Sequence, residues 1–243
     1  MKYTITGDNL QFVNVQLEDG ELFQSNAGSM RYMTGNMTME AKMKGGFLSG
    51  LKRSISGSSL FLMNYRSNGG SGVVGFGGSA PGKILDVDVG KGAWLVQSSG
   101  YLCSDTTVNV DMAFQKKLGS MFFGGEGLIL QKLSGKGMAF IAACGDLNVI
   151  DLKPGEVYKV STSNAVAWEE TVKYDITATG GFKTALFGGE GMFLTTLTGP
   201  GKIVIQSMTL ADLAQGLIPY MPTSSSNRGG DKGGLIESLF DNS

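Results

Sequence analysis

The chain has 243 residues, 42% of them hydrophobic and 17% charged, with a formal net charge of −1. That length and apolar content suit one sizeable packed body; the charge balance excludes a global basic footprint for nucleic acid, and no apolar run approaches the ~20 residues that span a bilayer as a helix. Histidine is absent, which removes Ser-His-Asp and Cys-His catalysis, histidine-rich metal cages and any imidazole general base.

The first segment, MKYTITGDNLQF, lacks the apolar stretch of a secretory signal. Only Cys103 and Cys144 could pair, and two cysteines in a chain of this length read as reduced, buried residues of a cytoplasmic protein. Glycine occurs 38 times, which predicts many short strands joined by tight turns.

From Gly20 onward a pattern begins that is repeated downstream. Met37, Met39, Ala41 and Met43 alternate with polar residues. Val108, Val110, Met112 and Phe114 do so 71 positions later, and Val172, Tyr174, Ile176 and Ala178 a further 64. Alternation of period two marks a strand with one buried face, and all three sets are expected to point inward. Phe23, Trp94 and Tyr158 also align, as do the turns Gly70-Ser71-Gly72, Gly135-Lys136-Gly137 and Gly199-Pro200-Gly201. Residues 1–222 are therefore expected to form one all-β body of three repeats (about 17–83, 84–147 and 148–210) closed around a pseudo-threefold axis.

The first repeat carries the one strong charge asymmetry. Between Ala41 and Leu85 lie Lys42, Lys44, Lys52, Arg53, Arg66 and Lys83 and no acidic residue, in a chain that holds 20 basic and 21 acidic residues in all. Within it, KMKGGFLSGLKRSISG mixes apolar side chains with four positive charges. Lys42, Lys44, Lys52 and Arg53 are the candidate residues for an anionic surface, such as lipid headgroups. The competing reading is a solvated face with the apolar residues tucked into the core.

Two glycine-rich stretches imitate nucleotide motifs. GSGVVG at Gly70–Gly75 has G-x-G-x-x-G spacing, but a strand-like segment follows where a helix must open. GGSAPGKI from Gly77 has the P-loop spacing, but Ile84 stands where Ser or Thr must hold magnesium. Both read as turns.

In the second repeat, Cys103 and Cys144 align with Ala167 and Met208, so inert apolar sites are expected. Asp86, Asp88 and Asp151 sit in alternating strands and read as a solvated polar face rather than an acid–base pair. FFGGEG recurs as LFGGEG, but the first repeat has ISGSS in its place; Glu126 and Glu190 are accordingly read as parts of a structural turn.

The tail differs in character. Leu210, Leu213, Ala214 and Leu217 have helical spacing and predict a short amphipathic helix. TSSSNRGGDKGG then reads as a flexible linker, and Leu235, Ile236, Leu239 and Phe240 cluster beyond it, so that 223–243 form a linker and tail.

Taken in order, GELFQSNAGSMRYMTGNM, GGFLSGLKRSISGSSLFLMNY, APGKILDVDV, FGGEGLILQKLSGKGMAFIAACGDL and GPGKIVIQS resemble the altered-inheritance-of-mitochondria family, over about residues 1–222. The resemblance implies a TRAP-like fold, made of shortened double-stranded β-helix units similar to the subunit of the tryptophan RNA-binding attenuation protein. It implies no catalytic residues and links the mitochondrial branch to inner-membrane organisation. RNA binding would be a fold-level analogy.

The combined expectation is a non-enzymatic, cytoplasmic homo-oligomer that uses no cofactor or metal. It would be a β-scaffold that binds an anionic membrane surface or a partner protein. The alternative is a small-molecule binding module with a β-helix pocket; nucleic-acid binding ranks behind both.

Overall fold

A computed structural model describes residues 1–42, 62–116, 128–178 and 193–221. They form β1 (Lys2–Thr6), β2 (Phe12–Leu17), β3 (Leu22–Asn26), β4 (Met30–Met33), β5 (Met37–Lys42), β6 (Leu62–Ser67), β7 (Gly72–Gly77), β8 (Ile84–Asp88), β9 (Trp94–Gln97) and β10 (Tyr101–Asp105). There follow β11 (Val108–Lys116), β12 (Leu128–Gly135), β13 (Met138–Ala142), β14 (Leu147–Leu152), β15 (Val157–Ser161), β16 (Ala165–Glu169), β17 (Lys173–Ala178), β18 (Phe193–Thr198) and β19 (Gly201–Gln206). One α-helix, α1 (Leu210–Leu217), closes the described chain. The protein is predominantly β, as the alternation predicts.

The strands form two six-stranded sheets, in the orders β5-β6-β3-β10-β13-β8 and β11-β12-β9-β16-β19-β14. Adding six to every strand number of the first order gives the second. The neighbours are antiparallel throughout. A four-stranded sheet, β1-β2-β7-β4, and a three-stranded sheet, β15-β18-β17, complete the set.

Local irregularities recur with the strand order. A register shift falls between Met30 and Tyr32 in β4, between Tyr101 and Cys103 in β10, and between Ala165 and Ala167 in β16. A β-bulge places two residues opposite one and turns the following side chains, so its return at the same point keeps each copy of the strand in phase with its sheet. The turn glycines also do a specific job. Gly135 and Gly137 have φ of 104° and 114°, and a Cβ on Gly137 would lie 2.6 Å from Asp105 Oδ2. Both the left-handed backbone and the close approach require glycine there.

Three apolar clusters fill the interior. One gathers Val13, Val15, Phe23, Tyr65, Phe76 and Phe140, the next Trp94, Val96, Tyr101, Val108, Val110 and Leu133, and the last Leu130, Leu152, Trp168, Leu197 and Ile203. Buried Gln97 is tied to the backbone: its Nε2 donates to the carbonyls of Thr162 and Ala165, both at 2.7 Å.

The structure departs from the sequence reading in two places. First, among the described residues the strand pairings do not close around a threefold axis. Isolated parallel bridges link Leu10 to Gly82 and Gly82 to Gly145, a succession rather than a ring, and β4 and β15 end separate sheets. Alternation fixes which face of a strand is buried but not which strand lies beside it, so closure was not encoded in the pattern. Second, the alternating sets do not point inward along their whole length. Met37, Val108, Val110 and Val172 are buried, whereas Met39 is 51% and Met112 37% exposed, and Ala41 and Ala178 are also exposed. The partner strands stay covered at the same level, since Leu62 opposite Lys42 and Leu128 opposite Lys116 are buried, so it is individual positions of the edge strands that are left uncovered.

Candidate functional site

Each alternating set lies on one strand of an antiparallel pair. In β5–β6, Lys42 faces Leu62; in β11–β12, Lys116 faces Leu128; in β17–β18, Ala178 faces Phe193. Each of β5, β11 and β17 is the last strand of its sheet. Antiparallel pairing with alternating apolar residues holds these pairs together, and Met39 and Met112 remain exposed on their edge strands.

Of the four residues expected to meet an anionic surface, Lys42 ends β5, while Lys44, Lys52 and Arg53 lie outside the described residues, as do Glu126 and Glu190. The other two basic residues of that stretch have different settings. Arg66 is exposed on β6. Lys83 Nζ is 2.8 Å from Asp8 Oδ1 and 3.8 Å from Asp146 Oδ1, with the lysine pKa raised and that of Asp8 lowered by their hydrogen bond. Its charge is therefore spent on joining the starts of β2, β8 and β14 rather than on an external anion. Sequence reading missed this because the partners are 75 and 63 residues away, outside the stretch whose charge was counted.

The glycine-rich imitations are settled by their backbone. Gly72–Gly77 is strand β7, and the segment from Gly77 leads through a turn into β8. Neither opens a helix, so no helix N-terminus is offered to phosphate. Cys103 is fully buried and Cys144 nearly so; burial raises both thiol pKa values, which keeps them protonated and poor nucleophiles. Asp86 and Asp151 are exposed and Asp88 half-buried. Asp86 has a partner that sequence reading did not assign: the Tyr3 hydroxyl donates to it at 2.7 Å.

Among the described residues, two surface hollows measure about 290 and 250 Å³. The first is lined by Lys91–Ala93 and Glu169–Thr171, the second by Leu22, Thr38–Glu40, Asn64 and Arg66. All the lining residues are exposed or half-buried, so both hollows are features of the surface. Among the described residues no group of His, Cys, Asp and Glu is arranged to hold a metal ion.

With this architecture in view, the family comparison is decisive. A family model described as Mitochondrial biogenesis AIM24 matches residues 3–208. The chain belongs to the AIM24 family. Its relatives include an uncharacterized protein, M6_Spy0233, of Streptococcus pyogenes serotype M6, which is 32% identical over 235 residues covering 93% of each chain. Among solved structures, that of protein SPYM3_0169 from Streptococcus pyogenes is similar, with a TM-score of 0.76 and 29% identity over 90% of this chain and 99% of that one. The AIM24 match ends just before α1.

That helix is held at its start and free along its length. Thr209 and Asp212 form a capping box: the Asp212 amide donates to Thr209 Oγ1 at 3.1 Å and the Thr209 amide to Asp212 Oδ2 at 2.8 Å. None of its residues is buried, and Leu217, Ile218 and Tyr220 are 53%, 64% and 85% exposed. No described helix is long and apolar enough to cross a membrane.

Proposed function

We propose that this AIM24 protein is a non-enzymatic, cytoplasmic β-scaffold that attaches reversibly to an anionic membrane surface through the ends of its hairpins. In this reading the chain is three TRAP-like units set in succession, and its oligomers present several hairpins to one surface. The observation that carries the proposal is the pair of solvent-exposed methionines on the edge strands, Met39 in β5 and Met112 in β11, the first of these strands leading into the sequence that holds Lys42, Lys44, Lys52 and Arg53. A basic residue near an anionic leaflet contributes about 1 kcal/mol, screened by salt. Four of them with a few apolar side chains support weak, reversible attachment without a lipid anchor.

Sedimentation with vesicles tests this. Wild type should pellet with anionic but not neutral liposomes, and only at low salt. The quadruple variant Lys42→Ala, Lys44→Ala, Lys52→Ala, Arg53→Ala should stay in the supernatant. Equal pelleting of the two proteins, or none by wild type, rejects the membrane and moves a partner protein ahead.

A further inference from the structure

We propose that the free edges of β4 and β15 join different copies of this chain head to tail, making between molecules the sheet that the chain makes twice within itself. The inference rests on the reading of three successive units.

Each six-stranded sheet has a seam in its middle. In the first, β3 meets β10, with Phe23 opposite Asp105, Gln24 opposite Ser104 and Ser25 opposite Cys103. In the second, β9 meets β16, with Trp94 opposite Glu169, Leu95 opposite Trp168 and Val96 opposite Ala167. Each seam thus joins a triplet from one unit, β5-β6-β3 or β11-β12-β9, to a triplet from the next, β10-β13-β8 or β16-β19-β14. Two triplets of the same kinds remain. They are β17-β18-β15, which ends on β15, and β4-β7-β2, which ends on β4. The chain therefore carries one half of a seam at each end of its succession of units.

The side chains at these edges behave like an uncovered interface. Phe23 and Trp94, inside completed seams, are 0% and 6% exposed, while Tyr158, at the equivalent place in β15, is 36% exposed with Val157 beside it at 52%. Cys103 and Ala167 are 0% exposed, while Tyr32, at their equivalent in β4, is 48% exposed. An unpaired strand edge is a template for another strand. Here the bulge in β4 matches those in β10 and β16, so the partner that fits is a strand in the register of β3 and β9, which only β15 supplies. Carrying the two known registers over places Tyr158 opposite Thr34, Lys159 opposite Met33 and Val160 opposite Tyr32. Because the two halves differ, the contact is heterologous; repeated, it closes into a ring where its rotation divides the circle and otherwise continues as a filament.

The experiment uses the full chain. One preparation carries Tyr158→Cys, another Thr34→Cys; both positions are exposed, and directly opposed residues lie within disulfide reach. Mixed and oxidised, the two preparations should give a crosslinked dimer that neither gives alone. Sedimentation velocity of wild type should show a multiple of the 25.6 kDa chain. Tyr158→Lys with Thr34→Lys should sediment as a monomer with an unchanged melting curve, and Tyr158→Lys with Thr34→Glu should restore the oligomer. A third preparation carries both changes in one chain; a crosslink formed only within that chain, and not between the two single-cysteine preparations, overturns the proposal while leaving the three units standing. Absence of both crosslinks, or a monomeric wild type, overturns it together with the carried-over register. Vesicle binding enters none of these readings, so its failure is separable.

Discussion

The hydroxyl of Tyr3 donates to Asp86 Oδ2 at 2.7 Å across 83 residues of sequence, fastening β1 to β8. The same ring meets Phe140 edge-on, with centroids 4.9 Å apart and planes at 78°. Phe140 is the strand partner of Asp86, so one side chain grips a polar and an apolar group on adjacent strands of another sheet. β1 pairs with β2 alone in its own sheet, so this contact, together with the packing of Ile5 on the same core cluster, ties it to the rest of the body.

Removing the hydroxyl tests that tie. Tyr3→Phe keeps the ring against Phe140 and loses the bond to the carboxylate. Because the pair is exposed to solvent, the expected cost is about 1 kcal/mol, below the range for buried charged hydrogen bonds. A thermal melt should fall by roughly 2–4 °C. Tyr3→Ala, which also removes the aromatic contact, should fall further; equal melts for the two variants would mean the hydroxyl does all the work.

Stability should depend on alkali and hardly at all on mild acid. The pKa of Tyr3 is pushed up to about 12 from 10.0, by the hydrogen bond to Asp86 and then by burial. Burial raises Tyr65, Tyr101 and Tyr174, and also Cys103 and Cys144, whose usual value is 9.0. In every case the folded chain holds the neutral form while the unfolded chain ionises at the ordinary value. This stabilisation is therefore complete below the unfolded values and is lost as pH rises through the folded ones. With no histidine to titrate, the melting temperature should be flat between about pH 6 and pH 8 and should drop above about pH 9. A drop centred near pH 6.5 would contradict this assignment of groups.

How far the sequence could be read follows from what each signal encodes. The alternations at Val108 and Val172 located strands because a buried face imposes period two, and the offset of 64 aligned them because copies keep their phase. The same alternation could not show that Met112 is left exposed between buried Val110 and core-packed Phe114, since coverage depends on what packs over each position. Nor could it show that β3 pairs with β10, since strand neighbours are chosen by chain path as well as pattern. Lys83 looked like part of a basic patch because charge was counted along the chain; Asp8 and Asp146 reach it only in three dimensions. The glycines were the most legible feature, because φ above zero and a missing Cβ are local demands.

Nucleotide binding should fail. The G-x-G-x-x-G spacing at Gly70–Gly75 runs into β7, whose amides from Gly72 to Gly77 face the pairing strands β2 and β4, leaving no cradle for phosphate. Neither ATP nor NAD at millimolar concentration should raise the melting temperature. A rise of several degrees with either would show that a glycine-rich segment binds the phosphates after all.

Two glycine substitutions should differ although both residues have positive φ. Gly155 has φ of 79° and no atom within 4 Å of a built Cβ, so Gly155→Ala meets only the backbone penalty. That penalty is about 1–2 kcal/mol. Gly137 has φ of 114°, and its Cβ would lie 2.6 Å from Asp105 Oδ2, an atom already engaged by the Met138 amide at 2.7 Å. The carboxylate cannot retreat without breaking that bond, and the Gly137 carbonyl is itself fixed by the Val89 amide at 3.0 Å. Strain and a lost charged hydrogen bond together should cost about 3 kcal/mol or more. Denaturant melts of the two variants at neutral pH, with equal slopes to exclude a changed denatured state, should place Gly137→Ala well below Gly155→Ala. Equal midpoints would show that Asp105 moves freely, and that the turn tolerates a side chain this structure leaves no room for.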